Sequence, residues 1–347
     1  MGMTTPTGLF PRFETLAANP QIVKGVMFDL GNMPDDYLAG KILAPVVFPP
    51  SDRPNEMEID GRALHGKILR KNLWGSYGVA QSSTVAFGQR AIPVEGQDID
   101  PLDFNGKKYF NSYAIEVEKL AEIEEWGIEA FRDMMEIPRT QVLVNREAEW
   151  ASLFGTVANW DNTTAVTTPW NQAGSTPIQD IQAMRTDIAK FGTPDTIIMS
   201  EVVANALAAN EAFNSPRQMT VDRAILTNDQ LAEILQARFG LKVHIASAKA
   251  ETSRDPSNPS PQYIWGNTVW IGRLDADGGD IRATSGGRVT ARRAAAINVV
   301  AQNLYADVIG PRINGEHDDT YVARVRMIES LDVVYSQLGG TLTNVIA

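Results

Sequence analysis

Apolar positions in the second half of the chain follow first a helical and then a strand-like period. Thr176 is a good helix N-cap with Pro177 behind it, and Gly192 with Pro194 ends the predicted helix. Its apolar stripe is Ile178, Ile181, Met184 and Ile188. A short apolar strand, Thr196–Met199, comes next. The pattern predicts a helix that packs beside a buried strand.

The same alternation continues to Ala248. Ser200 is the expected cap of a helix that fades near Asn210, and Thr227 with Gln230 has the spacing of a capping box. Gly240 should stop that helix. The strand expected after it alternates three apolar residues, Leu241, Val243 and Ile245, with Lys242, His244 and Ala246. The stretch 176–248 is therefore a predicted α/β unit.

A further helix is predicted from Pro138 to about Gly155, with the proline in its first turn. Its expected apolar face is formed by Leu143, Trp150, Leu153 and Phe154, and its expected polar side by Arg146, Glu147 and Glu149. Such a helix should pack on a sheet. The end of the chain, Thr320–Gln337, reads as a long strand pair or meander in which Tyr321, Ala323, Val325 and Met327 share one face.

The first half has little core of its own. Residues 1–50 are rich in proline and should form an arm that lies on its own domain or on a neighbouring subunit. Strand-like pieces at Glu56–Ile59, Lys67–Leu73 and Ser83–Arg90, followed by a turn-rich stretch at Gly96–Gly106, predict a long exposed hairpin that a partner must support. Lys249–Gln262, with three prolines, is expected to be a polar surface loop.

Charge argues against a broad nucleic-acid-binding surface, because the formal net charge is −11. Arg288, Arg292 and Arg293 form the best local basic cluster, and we expect it to be solvated surface or a subunit contact. The acidic run from Glu116 to Glu136 is interpreted as a solvated face. The chain has no signal-like N-terminus and no long apolar run, so we expect no membrane span.

None of the motif-like stretches in the sequence matches a catalytic or ligand-binding motif in full. Residues 61–68 have the G-x-x-x-x-G-K spacing of a phosphate loop, but Ile68 stands where Ser or Thr is required and an extended segment follows. Asp275, Asp277 and Asp280 resemble a calcium loop that has Gly286 in place of its last ligand, so a tight turn is favoured. The absence of cysteine excludes thiolate chemistry and disulfides.

Histidine and tryptophan offer no better site. His65, His244 and His317 are too far apart in sequence to form a helix-face metal pair. Trp126, Trp150, Trp265 and Trp270 are expected to be core or interface anchors. We therefore predict no catalytic residue, no cofactor-binding residue and no metal ligand.

This order of elements resembles the major capsid protein of tailed bacteriophages, whose fold also occurs in encapsulin shells. The resemblance is carried by Pro177–Phe191, Pro194–Ser200, the helix through Ala212, Leu231–Ser247, and Leu331–Val345 with its Leu338-Gly339-Gly340. It implies an α+β, HK97-like capsid fold. Its parts would be an N-terminal arm (1–50), an extended loop (51–112), a peripheral domain (113–175 and 276–332) and an axial domain (176–275 and 333–347).

The resemblance also implies a structural protein and not an enzyme. Copies would form pentamers and hexamers of an icosahedral head that encloses double-stranded DNA without reading its sequence, assembled in the host cytoplasm. Scaffold, portal and decoration proteins are further partners that it allows. Some relatives link subunits through Lys–Asn bonds; Lys67 and Lys71 lie in the expected loop, but no acceptor Asn or catalytic Glu can be matched to them.

Two alternatives remain open at this stage. The first is an encapsulin-like compartment that encloses a cargo enzyme. The second is a soluble metal-dependent enzyme that uses Asp275, Asp277 and Asp280.

Overall fold

The structure is a computed structural model of the 347-residue chain. It describes residues 23–29, 37–38, 58–59, 62–63, 65–71, 99–119, 122, 130–214, 226–253, 255, 257–274, 281–282, 288–289, 292–299, 303–309 and 320–347. Several predicted features lie outside the described residues. These are the strand at Ser83–Arg90 and the single residues Trp126, Asp275, Asp277, Asp280 and His317.

The helices with described bounds are α1 (Ala130–Gly155), α2 (Pro177–Ala189), α3 (Glu201–Ala209), α4 (Glu211–Asn214) and α5 (Asn228–Phe239). The strands are β1 (Val23–Asp29), β2 (Glu58–Ile59), β3 (Arg62–Ala63), β4 (His65–Lys71), β5 (Ile99–Asn105), β6 (Lys107–Glu116), β7 (Asn162–Ala165), β8 (Thr196–Ser200), β9 (Lys242–Ala246), β10 (Lys249–Glu251), β11 (Pro261–Tyr263), β12 (Val269–Gly272), β13 (Ile281–Arg282), β14 (Arg288–Val289), β15 (Ala295–Val299), β16 (Asn303–Ile309), β17 (Thr320–Val333) and β18 (Gly339–Thr343).

Local capping chemistry positions the helices of the α/β unit as the sequence predicts. The Ser200 hydroxyl accepts a hydrogen bond from the Val203 amide at the start of α3. Thr227 and Gln230 form both hydrogen bonds of a capping box at α5, and Gly240 ends that helix in the left-handed region with φ 69°. Thr176 precedes α2 without a side-chain capping bond, so Pro177 alone marks that start.

One five-stranded sheet forms the core of the α/β unit, in the order β7-β18-β12-β8-β9. The outer pairs are parallel, and β12 runs antiparallel to both of its neighbours. Side chains alternate between two cores. Ile197 and Val269 face the helices α2, α3 and α5, whereas Ile198 and Trp270 face α1.

The strand β7 extends this sheet at the edge beside β18. Residues 162–165 fall within the stretch that the sequence analysis assigned to the peripheral domain. A boundary drawn from this sheet would therefore lie before Asn162, since the strand pairs with β18 and not with the second sheet.

The second large sheet is built around the long strand β17. On one edge β17 pairs along its first ten residues with β6, and on the other edge it pairs with β16 and then β15. The strand β1 from the predicted arm adds to β16. Tyr321, Ala323, Val325 and Met327 are buried on one face, which confirms the predicted alternation. This part of the arm therefore lies on its own subunit.

The base of the predicted hairpin is a four-stranded sheet in the order β13-β14-β4-β5. The predicted turn-rich stretch Gly96–Gly106 is wrong, because residues 99–105 form the strand β5 and pair with β4 over its whole length. The expectation of a two-stranded projection needs the same correction. The chain's own β14 pairs with β4, so part of the hairpin's support comes from within the subunit.

The predicted loop Lys249–Gln262 also needs correction. Its ends form a small hairpin in which β10 and β11 pair antiparallel. Thr252 strengthens this closure, because its amide and hydroxyl both donate to the Ser260 carbonyl. Two prolines between the strands, Pro256 and Pro259, and a third at the first position of β11, Pro261, hid the pairing in the sequence.

Candidate functional site: a polar hub on the long helix

The helix α1 begins eight residues earlier than predicted, at Ala130, and holds Pro138 in its interior. Met134 and Met135 are buried in the first turns, each 2% exposed. A proline within a helix removes one backbone hydrogen bond. Here tertiary burial of the preceding residues outweighs that loss, since both methionines would otherwise be exposed to water.

The predicted polar side of α1 is wrong for its two central residues. Arg146 is 1% exposed and Glu147 is fully buried. Both lie on the same stripe as Leu143, Trp150 and Phe154, because positions 143, 146, 147, 150 and 154 follow the helical period. This period was the signal by which sequence reasoning could have found them; it was missed because charged residues are seldom fully buried.

Arg146 and Glu329 form a buried ion pair between α1 and β17. The Nε and Nη2 atoms of Arg146 donate to the two carboxylate oxygens of Glu329, each at 2.6 Å. Trp150 Nε1 donates to the same carboxylate at 3.2 Å. The guanidinium lies 5.6 Å from the centroid of the Trp150 ring. These contacts set the position of α1 on the sheet.

Glu147 links α1 to two distant parts of the chain. One carboxylate oxygen accepts a hydrogen bond from the Leu38 amide at 3.1 Å and another from Trp265 Nε1 at 2.5 Å. Leu38 belongs to the predicted arm, and Trp265 precedes the central strand β12 of the first sheet. The carboxylate thus joins the arm, the long helix and the α/β unit at one buried point.

The buried charged residues Arg146, Glu147 and Glu329 form what we call the hub on α1. Glu149 extends this hub toward β6. It accepts hydrogen bonds from Lys107 Nζ and from the Tyr109 hydroxyl, both at 2.9 Å. Burial raises the pKa of the Tyr109 phenol far above its usual value, and the nearby carboxylates of Glu329 and Glu149 raise it further. The phenol therefore acts as a hydrogen-bond donor throughout the neutral range.

Arg70 fixes the base of the hairpin to the body. Its guanidinium binds Asp100 on the adjacent strand, with Nε at 2.8 Å, and donates from Nη1 to the Val334 carbonyl at 2.8 Å. Phe104, at the other end of β5, is 1% exposed and packs into the core that contains Trp150 and Phe154. The hairpin base is therefore held by both a polar and an apolar contact.

The predicted tryptophan anchors within the described residues are confirmed. Trp150, Trp265 and Trp270 belong to one buried cluster. The Phe154 ring stands edge-on to Trp270 at 4.8 Å and stacks on Trp160 at 6.0 Å. This aromatic cluster lies between α1 and the first sheet, so it joins the two halves of the molecule.

The basic cluster was expected to be solvated surface or a subunit contact, and the first of these is wrong for Arg293. Arg293 is 5% exposed, Arg292 is half-buried, and Arg288 lies in the paired strand β14. The three residues therefore do not form a common exposed patch. Exposed cations on the sheet around β17 include Lys107, Lys108 and Arg326.

The candidate chemical motifs do not form a site within the described residues. Residues 62–63 and 65–71, the described parts of the phosphate-loop candidate and its continuation, are strands, and β2 and β3 form a tight hairpin there. No group of three metal-binding side chains occurs in the part of the chain that the structure describes. His65 lies in β4 and His244 in β9, so those two belong to different sheets.

Lys67 and Lys71 both lie in β4, within the predicted extended loop. Of the helices in the described ranges, none is both long and apolar enough to cross a membrane.

No protein family profile matches the sequence, and no curated protein matches it significantly. Solved structures do. A phage-related protein from Bordetella bronchiseptica RB50 is similar at 15% identity and a TM-score of 0.57, with 91% of this chain and 94% of that chain covered. The capsid of the cyanophage P-SCSP1u is similar at 9% identity and a TM-score of 0.50, over 88% and 90% of the two chains.

The SrpI encapsulin of Synechococcus elongatus PCC 7942 aligns over 97% of this chain and 96% of its own, at 8% identity and a TM-score of 0.46. That score is too low to support an inference. At these identities the first two structures establish the fold. The chain has the α+β, HK97-like fold of phage capsid proteins.

Proposed function

We propose that this chain is the major capsid subunit of a tailed phage and assembles into an icosahedral head that encloses double-stranded DNA. The observation that carries the proposal is the fold shared with a cyanophage capsid over about nine-tenths of both chains, 88% and 90%. A likeness of that extent leaves little of the chain for a separate catalytic domain.

The hub on α1 supports this function physically. A shell subunit must transmit load between its arm, its hairpin and its two sheets. Glu147 of α1 holds the arm, and Arg146 of α1 holds Glu329 of the long strand. Arg70 holds the hairpin base by binding the carbonyl of Val334, a residue of the same core cluster as Trp150 of α1. Such an arrangement suits a structural element that carries mechanical load better than a ligand-binding site, because its polar groups form hydrogen bonds and ion pairs with one another.

In this proposal residues 1–50 form the arm, 51–112 the extended loop, 113–175 and 276–332 the peripheral domain, and 176–275 with 333–347 the axial domain. The strand β7 is the exception already noted, since it pairs within the axial sheet. Pentamers and hexamers of the chain would form the shell in the host cytoplasm. The net charge of −11 fits a container that holds DNA without gripping its phosphates.

Electron microscopy of the purified full chain tests the proposal. We expect closed angular shells that retain nuclease-resistant double-stranded DNA when they are isolated from infected or induced cells. Shells that lack DNA and contain a co-purified enzyme would instead assign the chain to an encapsulin-like compartment. A stable monomer at high protein concentration, with no particles under any salt condition, would contradict both.

A further inference from the structure

The strand β6 has ten residues and lies at the edge of the described part of its sheet. All ten of its residues face β17, and no other described strand pairs with it. In such a strand every second residue directs its N–H and C=O to the open side. A row of unpaired backbone groups of this length is a ready template for another strand.

The charges on the outer face of β6 are arranged with opposite signs at its two ends. Lys108, Phe110, Ser112, Ala114 and Glu116 occupy this face, and all five are exposed. Phe110 is 45% exposed and lies 4.5 Å below the Lys108 ammonium. Lys108 and Glu116 are equally far from Ser112, four residues on either side. The face is therefore complementary to itself after a half turn about Ser112.

We propose that β6 pairs antiparallel with β6 of a second copy across a two-fold axis at Ser112. The inference rests on the proposed shell function, and it names one contact of that shell. In this register Lys108 of each copy lies opposite Glu116 of the other, and Phe110 lies opposite Ala114. Direct cross-strand pairs of opposite charge stabilise a sheet, whereas like charges destabilise it.

The inner face of β6 is compatible with the same register. Pairing about Ser112 places Tyr113 of the second copy opposite Asn111, and Ile115 opposite Tyr109. None of these four residues carries a charge, so the register brings no like charges together on this face.

The charge order selects this partner over others. A parallel pairing would place Lys108 against Lys108 and Glu116 against Glu116. Two copies that each carry a net charge of −11 repel overall, so a contact between them needs local complementarity. One strand pair buries less than the roughly 1,000 Å² that a stable isolated dimer needs, so the contact acts together with the other contacts of a shell.

Disulfide trapping in the assembled particle tests the register directly. The chain has no cysteine, so a single introduced cysteine can bond only to another copy. Directly opposite residues in an antiparallel pair have Cα atoms about 4.5–5.5 Å apart, within the range that a disulfide spans. With diamide as the oxidant, we expect Ser112→Cys to give a dimer band on a non-reducing gel.

Ala114→Cys is the matched control, two residues away on the same exposed face. In the proposed register its two copies are four positions apart along the strands, so it gives no dimer alone but forms one when mixed with Phe110→Cys. Particles that form normally while Ser112→Cys stays monomeric would overturn the inference and leave the shell function intact. Dimer bands from both Ser112→Cys and Ala114→Cys alone would overturn the register.

Charge exchange provides a second, independent test. Lys108→Glu or Glu116→Lys alone should lower the fraction of protein that sediments as particles, and the double exchange should restore it. Lys190→Glu changes the net charge by the same amount as Lys108→Glu, at an exposed position directly after α2. It should leave the fraction of sedimenting protein unchanged. Equal losses in Lys108→Glu and in the double variant would contradict the pairing.

Discussion

The Arg146 guanidinium and the Glu329 carboxylate form a two-point ion pair between α1 and β17, with side chains 1% and 0% exposed. Removing one partner of such a pair leaves an uncompensated charge in the protein interior. We expect Arg146→Met to lower the free energy of unfolding by about 3–5 kcal/mol. Urea denaturation of the unassembled subunit measures the loss.

The double variant Arg146→Met/Glu329→Gln should recover most of that loss. Glutamine is neutral and keeps an oxygen that can accept from Trp150 Nε1. Lys190→Ala breaks an exposed pair with Asp187 and serves as control, with an expected change below about 1 kcal/mol. If Arg146→Met matched Lys190→Ala, the buried pair would not be a major stabilising contact.

Glu147→Ala should loosen the arm. The substitution leaves the Leu38 amide and Trp265 Nε1 without their acceptor, at a cost of about 1–3 kcal/mol for each buried donor. We expect faster limited proteolysis before residue 38, and a smaller effect from Glu147→Gln, which keeps an acceptor oxygen. The control is Glu233→Ala, on the exposed face of α5. The protease should cleave this variant at the wild-type rate. Unchanged cleavage in Glu147→Ala would show that Glu147 does not hold the arm.

Tyr109 predicts a loss of stability at alkaline pH. Its pKa is raised in the folded state, so the unfolded chain releases the phenolic proton first, from about pH 10 upward. The stabilisation that the Tyr109 phenol gives to the folded state is complete below that pH, and it declines as the pH rises above it. Urea unfolding at pH 8 and above pH 10 should show a steeper decline for the wild type than for Tyr109→Phe. Parallel declines would contradict the assignment.

Gly340 lies where Asn162 of β7 and Met184 of α2 leave no room for a side chain. A Cβ at this position would approach the Asn162 carbonyl oxygen to 2.7 Å. Because that oxygen is backbone, we expect Gly340→Ala to cost about 1–3 kcal/mol in unfolding free energy. Gly266→Ala is the matched control, since a Cβ there meets no atom within 4 Å. Equal stabilities of the two variants would show that β7 moves aside without cost.

Arg70→Lys should weaken the base of the hairpin. A lysine has one point charge and cannot bind Asp100 and the Val334 carbonyl with the fork geometry of arginine. Hydrogen exchange should become faster in peptides from β4 and β5. Peptides from β7 and β18 provide the internal control, because their ladder does not involve Arg70. Unchanged exchange in β4 and β5 would locate the support elsewhere, on Phe104.

Elements whose ends depend on neighbouring residues were predicted well. The capping box at Thr227, the Ser200 cap and the glycine at 240 act within a single turn, so three or four residues contain the whole signal. The alternation in β17 was equally legible, since Tyr321, Ala323, Val325 and Met327 form an apolar set at every second position.

Elements that depend on distant contacts were missed. The acidic residues and Pro101 of β5 concealed a strand that exists because β4 lies beside it. Pro138 was placed at a helix start because nothing local shows that Met134 and Met135 are buried. Arg146 and Glu147 were placed on a polar face because their partners, Glu329, Leu38 and Trp265, are far away in sequence.

The sequence by itself determined the order of elements, the absence of cysteine chemistry and the resemblance to a capsid fold, because periodicity and caps are local properties. Only the tertiary structure decided which charged residues are buried and which strand lies at the edge of the described part of the sheet around β17. Burial and pairing depend on what other segments supply. The hub on α1 and the edge of β6 therefore become visible only when residues far apart in sequence lie side by side.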